Sequence, residues 1–171
     1  PSALELVRGV DTATAGSMAA IITVGSFFAC FAGPAAVLKL GKNKPFLIVT
    51  TVIAAVVMVA NWFLPLGTVM WVALVLNGFM TALSGPIIQA MTPDLPEIGA
   101  KYAGSAGGII GTVGLLCSYF VPVIVSSISG DNWTLNFTIE SILFLASVLP
   151  IAMLPETGAA AKAEMPETSE L

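Results

Sequence analysis

Long apolar runs separated by short polar breaks dominate this chain. No charged residue occurs between Lys44 and Asp94, and within that run the turn-forming residues cluster once, at 61 to 67. A transmembrane helix needs only about 20 apolar residues to cross the hydrocarbon core of a bilayer. The run therefore predicts two membrane spans joined by a tight turn that contains asparagine, proline and glycine.

The same rule applied to the whole chain predicts an all-α, polytopic transmembrane helix bundle with five complete spans. Residues 1–10 are predicted to be the end of a preceding helix and an external loop, and the chain, which starts at Pro1 without a signal peptide, is interpreted as a fragment. Residues 155–171 are polar and predict a disordered cytoplasmic tail. The predicted spans within 11–154 are 14–38, 46–64, 68–91, 99–125 and 134–154.

Composition supports a membrane protein and excludes several other classes. Hydrophobic residues make up 57% of the chain and charged residues only 9%, which lies outside the range of soluble domains. There is no basic stripe that would bind nucleic acid. Histidine is absent and both cysteines lie in apolar runs, so no enzyme, metal site or cofactor is predicted.

Orientation is predicted from the distribution of basic residues. Alternation of five spans puts five of the six basic residues on one side and leaves Arg8 alone on the other. Lys and Arg in short loops prefer the cytoplasm. The C-terminus is therefore predicted to be cytoplasmic in a plasma or bacterial inner membrane, and the three tryptophans fall at the outer boundary, where such rings favour the headgroup layer.

Polar but uncharged stripes mark candidate cavity-lining residues on two spans. Asn77, Thr81 and Ser84 share one face of the third span, and Thr23 and Ser26 share one face of the first. Polar groups at membrane depth turn toward a bundle interior or a water-filled cavity. The stripes are interpreted either as the lining of a solute path or as interhelical hydrogen bonds of about 0.6 kcal/mol each. On the first span Gly25, Ala29 and Gly33 form a separate close-packing edge.

The fourth span combines glycine with a polar flank. The pairs Gly104/Gly108 and Gly107/Gly111 have the small-xxx-small spacing that lets helices pack closely, and they predict that another helix approaches this face. Polar residues recur every seven positions beside the glycines and are further cavity candidates: Ser105, Thr112 and Tyr119.

Glu140 is the one ionisable residue placed clearly inside a predicted span. It lies about two turns from Trp133 and shares a face with Asn136. Ionisable groups inside a membrane are functional hypotheses by default, so Glu140 is a candidate proton site. The alternative is that it reaches water at the outer surface or pairs with Asn136.

Two segments resemble signatures of the major facilitator superfamily. Lys39, Gly41 and Lys42 fit the basic-x-Gly-basic core of that family's cytoplasmic loop motif, although Leu38 replaces the usual acid. Residues 154–158, Leu-Pro-Glu-Thr-Gly, are similar to the Pro-Glu-Thr sequence that commonly follows the family's twelfth helix. With these motifs, nearly the whole chain resembles the family from the end of the seventh helix through the twelfth.

The resemblance implies a role for each span. The first, third and fourth spans would correspond to the eighth, tenth and eleventh helices, which line the family's central cavity, and the second and fifth to peripheral helices. It implies a secondary active transporter that moves a small organic solute, with a coupled proton or counter-solute, by rocking two halves in the lipid bilayer. The missing N-terminal half would be a partner. The alternative is a stand-alone membrane interaction subunit that transports nothing.

Overall fold

A computed structural model describes residues 2–95 and 97–158 of the 171-residue chain. The described part is helical and contains no strand. Eight α-helices follow one another, and a short 3-10 helix, Thr92–Asp94, comes after α5. They are α1 Ser2–Arg8, α2 Thr12–Leu40, α3 Asn43–Phe63, α4 Thr68–Ala82, α5 Ser84–Met91, α6 Gly99–Ser129, α7 Trp133–Ala146 and α8 Val148–Met153.

Five continuous or interrupted helices are long and apolar enough to cross a membrane, which confirms the predicted all-α polytopic bundle. Three of them are α2, α3 and α6, and the other two are the segments Thr68–Asp94 and Trp133–Met153. Short connections make consecutive spans antiparallel. The end of the bundle that holds residues 9–11, 64–67 and 130–132 is called the tryptophan end here, and the end that holds 41–42 and 154–158 the lysine end.

Local sequence explains where the helices begin and end. The Asp11 carboxylate accepts the Thr14 backbone N–H (3.0 Å) and caps α2. Hydrogen bonds from Thr14 lower the pKa of this exposed carboxyl from its ordinary value. Gly41 ends α2 with φ 68°, a left-handed conformation that glycine adopts without steric cost, and its N–H donates to the Val37 carbonyl (2.8 Å).

Two spans are interrupted in the half nearer the lysine end. The third span breaks at Leu83, shortly before Gly85 and Pro86, and the fifth breaks at Ser147, ahead of Pro150. Proline has no N–H to donate and its ring crowds the carbonyl four residues earlier. Each break lies three residues before a proline. Because the proline cannot complete the hydrogen bond to the preceding turn, the helix is interrupted there.

Apolar packing forms two separate clusters. Near the tryptophan end, Met18 of α2 packs with Met70 and Leu74 of α4. Near the lysine end, Leu47 of α3 packs with residues of α5 and α8, including Ile87 and Ile151. The longest helix, α6, lies beside these clusters rather than between them: within Gly99–Ser129 only Val125 and Ser129 are buried.

Candidate functional site

The predicted close-packing edge of the first span is confirmed. Gly25 and Gly33 are buried, and Ala29 between them is completely buried. A Cβ added at Gly25 would overlap the Val75 carbonyl oxygen and lie 2.9 Å from the Phe79 nitrogen of α4. Real Cβ atoms do not come this close to backbone, so α2 and α4 can pack at this distance only because glycine lies at the crossing.

Ser26 participates in the same helix crossing. Its hydroxyl is 3.1 Å from the Gly78 carbonyl oxygen of α4 and 3.1 Å from the Ile22 carbonyl oxygen of its own helix. Gly78 is the facing glycine, since a Cβ there would overlap the Ile22 carbonyl. Of the two alternatives for Ser26, these contacts favour interhelical hydrogen bonding. Thr23, by contrast, is exposed.

The third-span stripe does not line one open surface. The Thr81 hydroxyl donates to the Asn77 carbonyl of its own helix (2.8 Å), and Thr81 and Ser84 are half-buried. Asn77 instead lines a pocket near the tryptophan end, together with Asn61 of α3. The break at Leu83 separates Ser84 from the other two residues, so the continuous stripe expected from helical spacing is divided.

The polar flank of α6 is exposed along its whole length. Ser105, Thr112 and Tyr119 are all exposed, and the Thr112 hydroxyl donates to the Gly108 carbonyl of its own helix (2.9 Å). Within the described residues these three side chains do not meet the α4 stripe. Sequence spacing correctly put them on one flank but could not specify which helix, if any, lies opposite.

The predicted packing of the fourth-span glycines is wrong for the described part of the chain. A Cβ added at Gly104, Gly108 or Gly111 would meet no atom within 4 Å, and one at Gly107 would meet only the flexible Gln89 side chain at 3.2 Å. Small residues permit a close approach but do not provide the helix that approaches. Among the described membrane helices, the close glycine contacts belong to α2 and α4 instead.

Glu140 lies half-buried on α7. No hydrogen bond or ion pair to it forms within residues 2–95 and 97–158, whereas the Asn136 amide donates to Ser126 and Ser129 hydroxyls of α6, both at 3.1 Å. Asn136 therefore joins α6 to α7 rather than pairing with Glu140. Cys30 and Cys117 are exposed free thiols, and no group of three His, Cys, Asp or Glu residues in the described segments could hold a metal ion.

The two segments that carry the family resemblance meet at the lysine end. Glu156 Oε1 accepts the Asn43 backbone N–H at 2.8 Å, and Oε2 accepts that of Lys44 at 3.1 Å. The Asn43 side-chain nitrogen donates to the Thr157 hydroxyl at 2.9 Å. A carboxylate at a helix N-terminus satisfies free N–H groups and is stabilised by the helix dipole. Glu156 thus caps α3, whose own N-cap residue, Lys42, supplies no side-chain cap.

The electrostatics of Glu156 follow from these contacts. Burial alone would raise its pKa, but hydrogen bonds from backbone N–H groups, including those of Asn43, Gly158 and Lys44, outweigh burial and lower the pKa below its ordinary value. The carboxylate is therefore held in its charged form. Of the loop-motif residues, Lys39 and Lys42 are exposed, and Gly41 packs against Gly158.

This contact corrects the predicted start of the disordered tail. Thr157 and Gly158 are buried, and a Cβ added at Gly158 would overlap the Gly41 carbonyl and lie 2.9 Å from the Lys42 Cα. Residues 155–158 are therefore part of the packed bundle, and 159–171 lie outside the described residues. The sequence signal for this contact was the Pro-Glu-Thr motif, whose glutamate follows the end of the last span. Sequence reasoning did not pair that glutamate with the free N–H groups at the start of α3.

Asn61 is the other functional candidate that sequence reasoning missed, because it was interpreted as part of the turn. The structure includes it in α3, where it is 7% exposed and neither polar atom of its amide has a hydrogen-bond partner among the described residues. No family model, curated protein or solved structure matches this chain.

Proposed function

We propose that this chain forms the C-terminal half of a secondary active transporter of the major facilitator superfamily. It would move a small organic solute across a cell membrane by alternating access, with its C-terminus in the cytoplasm. The observation that carries the proposal is the contact between the segments that resemble the family. Gly158 packs on Gly41, and Glu156 caps the helix that follows the basic loop. Two motifs that are far apart in sequence therefore act as one structural unit.

The exposed face of α6 supports the proposal that a further part of the transporter lies opposite this helix. Ser105, Thr112 and Tyr119 expose polar groups, and three nearby glycines have open space beside them. Polar groups at membrane depth are costly against lipid. In a transporter, the other six-helix half would stand across a solute path from this face. Thr23 of α2 is exposed as well and is a further candidate for that path.

The same open face also favours a second candidate, a non-transporting interaction subunit. Gly104, Gly108 and Gly111 offer a partner helix room for close approach. The two candidates differ in what covers α6: the other half of the same polypeptide, or a separate protein. They also differ in flux, since an interaction subunit conducts no solute.

Transport is tested with the full product of the reading frame in proteoliposomes. Counterflow of a panel of radiolabelled small organic solutes is measured, and Tyr119→Phe and Thr112→Val are compared with Thr50→Ala. Thr50 is a suitable control because it is buried on α3, whereas Thr112 and Tyr119 are exposed on α6. Its hydroxyl, like that of Thr112, bonds to carbonyls of its own helix, those of Phe46 and Leu47. Reduced flux in the α6 variants at equal protein amount supports the proposal. A reading frame that starts just before Pro1, together with no counterflow for any solute, would contradict it.

A further inference from the structure

Three basic side chains at the lysine end are not used inside the fold. Lys39 and Lys42 are exposed and Lys44 is half-buried. Within residues 2–95 and 97–158 their ammonium groups form no ion pair and no hydrogen bond. Their charges are therefore available to an anion from outside the described part of the chain.

The carboxylate that packs on this connection does not pair with the lysines. Both oxygens of Glu156 accept backbone N–H groups at the start of α3, at 2.8 and 3.1 Å, and the positive end of the α3 dipole offsets part of its charge. Asp94 and Glu97 belong to the next connection at this end, which also carries Lys101. The three lysines and Glu156 together leave a net positive surface.

The opposite end of α3 uses its basic residue internally. The Arg8 guanidinium donates to the Leu64 carbonyl (2.8 Å) and to the Trp62 carbonyl. Its central carbon also lies 5.2 Å from the centroid of the Trp62 ring, within the range of a cation–π contact. The two ends of the bundle therefore differ in the positive charge that they offer to an external anion.

An exposed apolar stripe runs along α3 from Lys42. Its members follow Lys42 at intervals of three or four residues, which puts them on one face of the helix, and all are exposed: Pro45, Val49, Val52 and Val56. We call these four residues the α3 stripe. On α2, Leu38 and Leu40 flank Lys39 and are also exposed. Lysine stems lie along apolar surface of this kind while the ammonium stays at the level of the headgroups.

A positive surface beside an apolar stripe fits an amphiphile with an anionic headgroup. Basic residues next to a membrane span attract anionic lipids, and a phospholipid supplies both the anion and an apolar chain. We propose that the lysine end binds an anionic phospholipid, with its phosphate at Lys39 and Lys42 and an acyl chain along the α3 stripe. This inference depends on the membrane bundle and not on transport.

The test compares two lipids at one position of the full chain in phosphatidylcholine vesicles. Cys30→Ser and Cys117→Ser remove the two free thiols, which are exposed, and Leu40→Cys carries a nitrobenzoxadiazole fluorophore. Its emission is quenched with nitroxide-labelled phosphatidylglycerol or with nitroxide-labelled phosphatidylcholine at equal mole fractions. Phosphatidylglycerol should quench with a relative affinity about fivefold or more above that of phosphatidylcholine at low salt.

Two substitutions at Lys42 separate charge from structure. Lys42→Gln should lower the preference about fivefold, the value of one lysine near an anionic membrane surface. The Lys42 side chain makes no cap hydrogen bond, so this variant loses no contact within the fold. Lys42→Arg keeps the charge and should keep the preference.

The matched control is the same fluorophore at the tryptophan end, on Leu66→Cys. Leu66 is also exposed, and no preference is expected there because Arg8 is already bound within the fold. Equal quenching by the two lipids at Leu40, or the same preference at Leu40 and Leu66, would overturn the proposal. A preference that arises only after removal of 159–171, which contains Glu164, Glu167 and Glu170, would also overturn it and assign the lysines to that acidic segment.

Discussion

The α2–α4 pair and α6 carry similar glycine patterns but have opposite surroundings. Gly25 and Gly78 press directly on the backbone of the facing helix, whereas Gly104, Gly108 and Gly111 have no atom within 4 Å of an added Cβ. Helix association in lipid lacks a hydrophobic driving force and depends on close contact. A glycine stripe therefore marks where contact is possible, and only the fold decides whether a partner is present within the same chain.

The largest expected difference in stability between the two surfaces comes from adding one methyl group to each. Gly78→Ala should destabilise the bundle by about 3 kcal/mol or more, because its Cβ would overlap a backbone carbonyl that cannot move without separating the helices. Gly111→Ala should leave stability nearly unchanged. Membrane yield and thermal unfolding in detergent measure both, and equal losses in the two variants would refute the assignment.

Gly158 extends the comparison to the lysine end. Gly158→Ala should cost about 1–3 kcal/mol, since the added carbon meets the Gly41 and Lys42 backbone, although a tail of several residues can shift more easily than a membrane helix. The same thermal unfolding assay applies, with Gly108→Ala as the control. A Gly158 variant as stable as the wild type would mean that 155–158 do not pack as described.

A substitution at Glu156 tests the contribution of helix capping at the lysine end separately from that of packing. Because its pKa is lowered on folding from 4.5, its contribution is present above that pH and is lost as the pH falls through the lower folded value. Glu156→Gln should cost about 1 kcal/mol near neutral pH and nothing in strong acid. Thermal unfolding across that range tests this, and a Gln variant with an unchanged pH profile would exclude the cap.

Ser26 gives the smallest expected difference. Ser26→Ala removes the hydroxyl shared with the Gly78 carbonyl and should cost about 0.6 kcal/mol, the average for hydrogen bonds between membrane helices. Thr112→Val on α6 removes a hydroxyl that bonds only to its own helix and should cost less. Thermal unfolding of both variants in detergent measures the two losses of stability. A larger loss for Thr112→Val than for Ser26→Ala would contradict this prediction.

The distribution of hydrophobic residues along the chain was enough to predict the fold class. The predicted spans fall on the observed helices because every backbone group in lipid must be paired within its own segment. The turn at 64–67 and the break ahead of Pro86 also follow from local sequence. These features need no knowledge of which helices are neighbours.

The candidate sites depended on neighbours and were predicted less well. Spacing put Asn77, Thr81 and Ser84 on one face, but it could not show that Asn77 shares a pocket with Asn61 of another helix. It also could not show that Glu156 would cap α3 from the far end of the chain. In each case the decisive contact joins residues that are far apart in the sequence, and helical periodicity carries no information about such pairs.

The proline-related breaks at Leu83 and Ser147 also affect the stiffness of the bundle. An α-helix resists bending through its ladder of backbone hydrogen bonds, and two of the described spans are divided into separate helices by a break in that ladder. Both short segments beyond the breaks, α5 and α8, pack on the uninterrupted α3 through Ile87 and Ile151. α5 also packs on α2, since a Cβ added at Gly33 would lie 2.9 Å from the Leu83 carbonyl oxygen and 3.5 Å from Ile87 Cδ1. The break at Leu83 therefore adjoins the small-residue edge of α2 that also packs on α4, so bending at this break acts on the α2–α4 crossing as well.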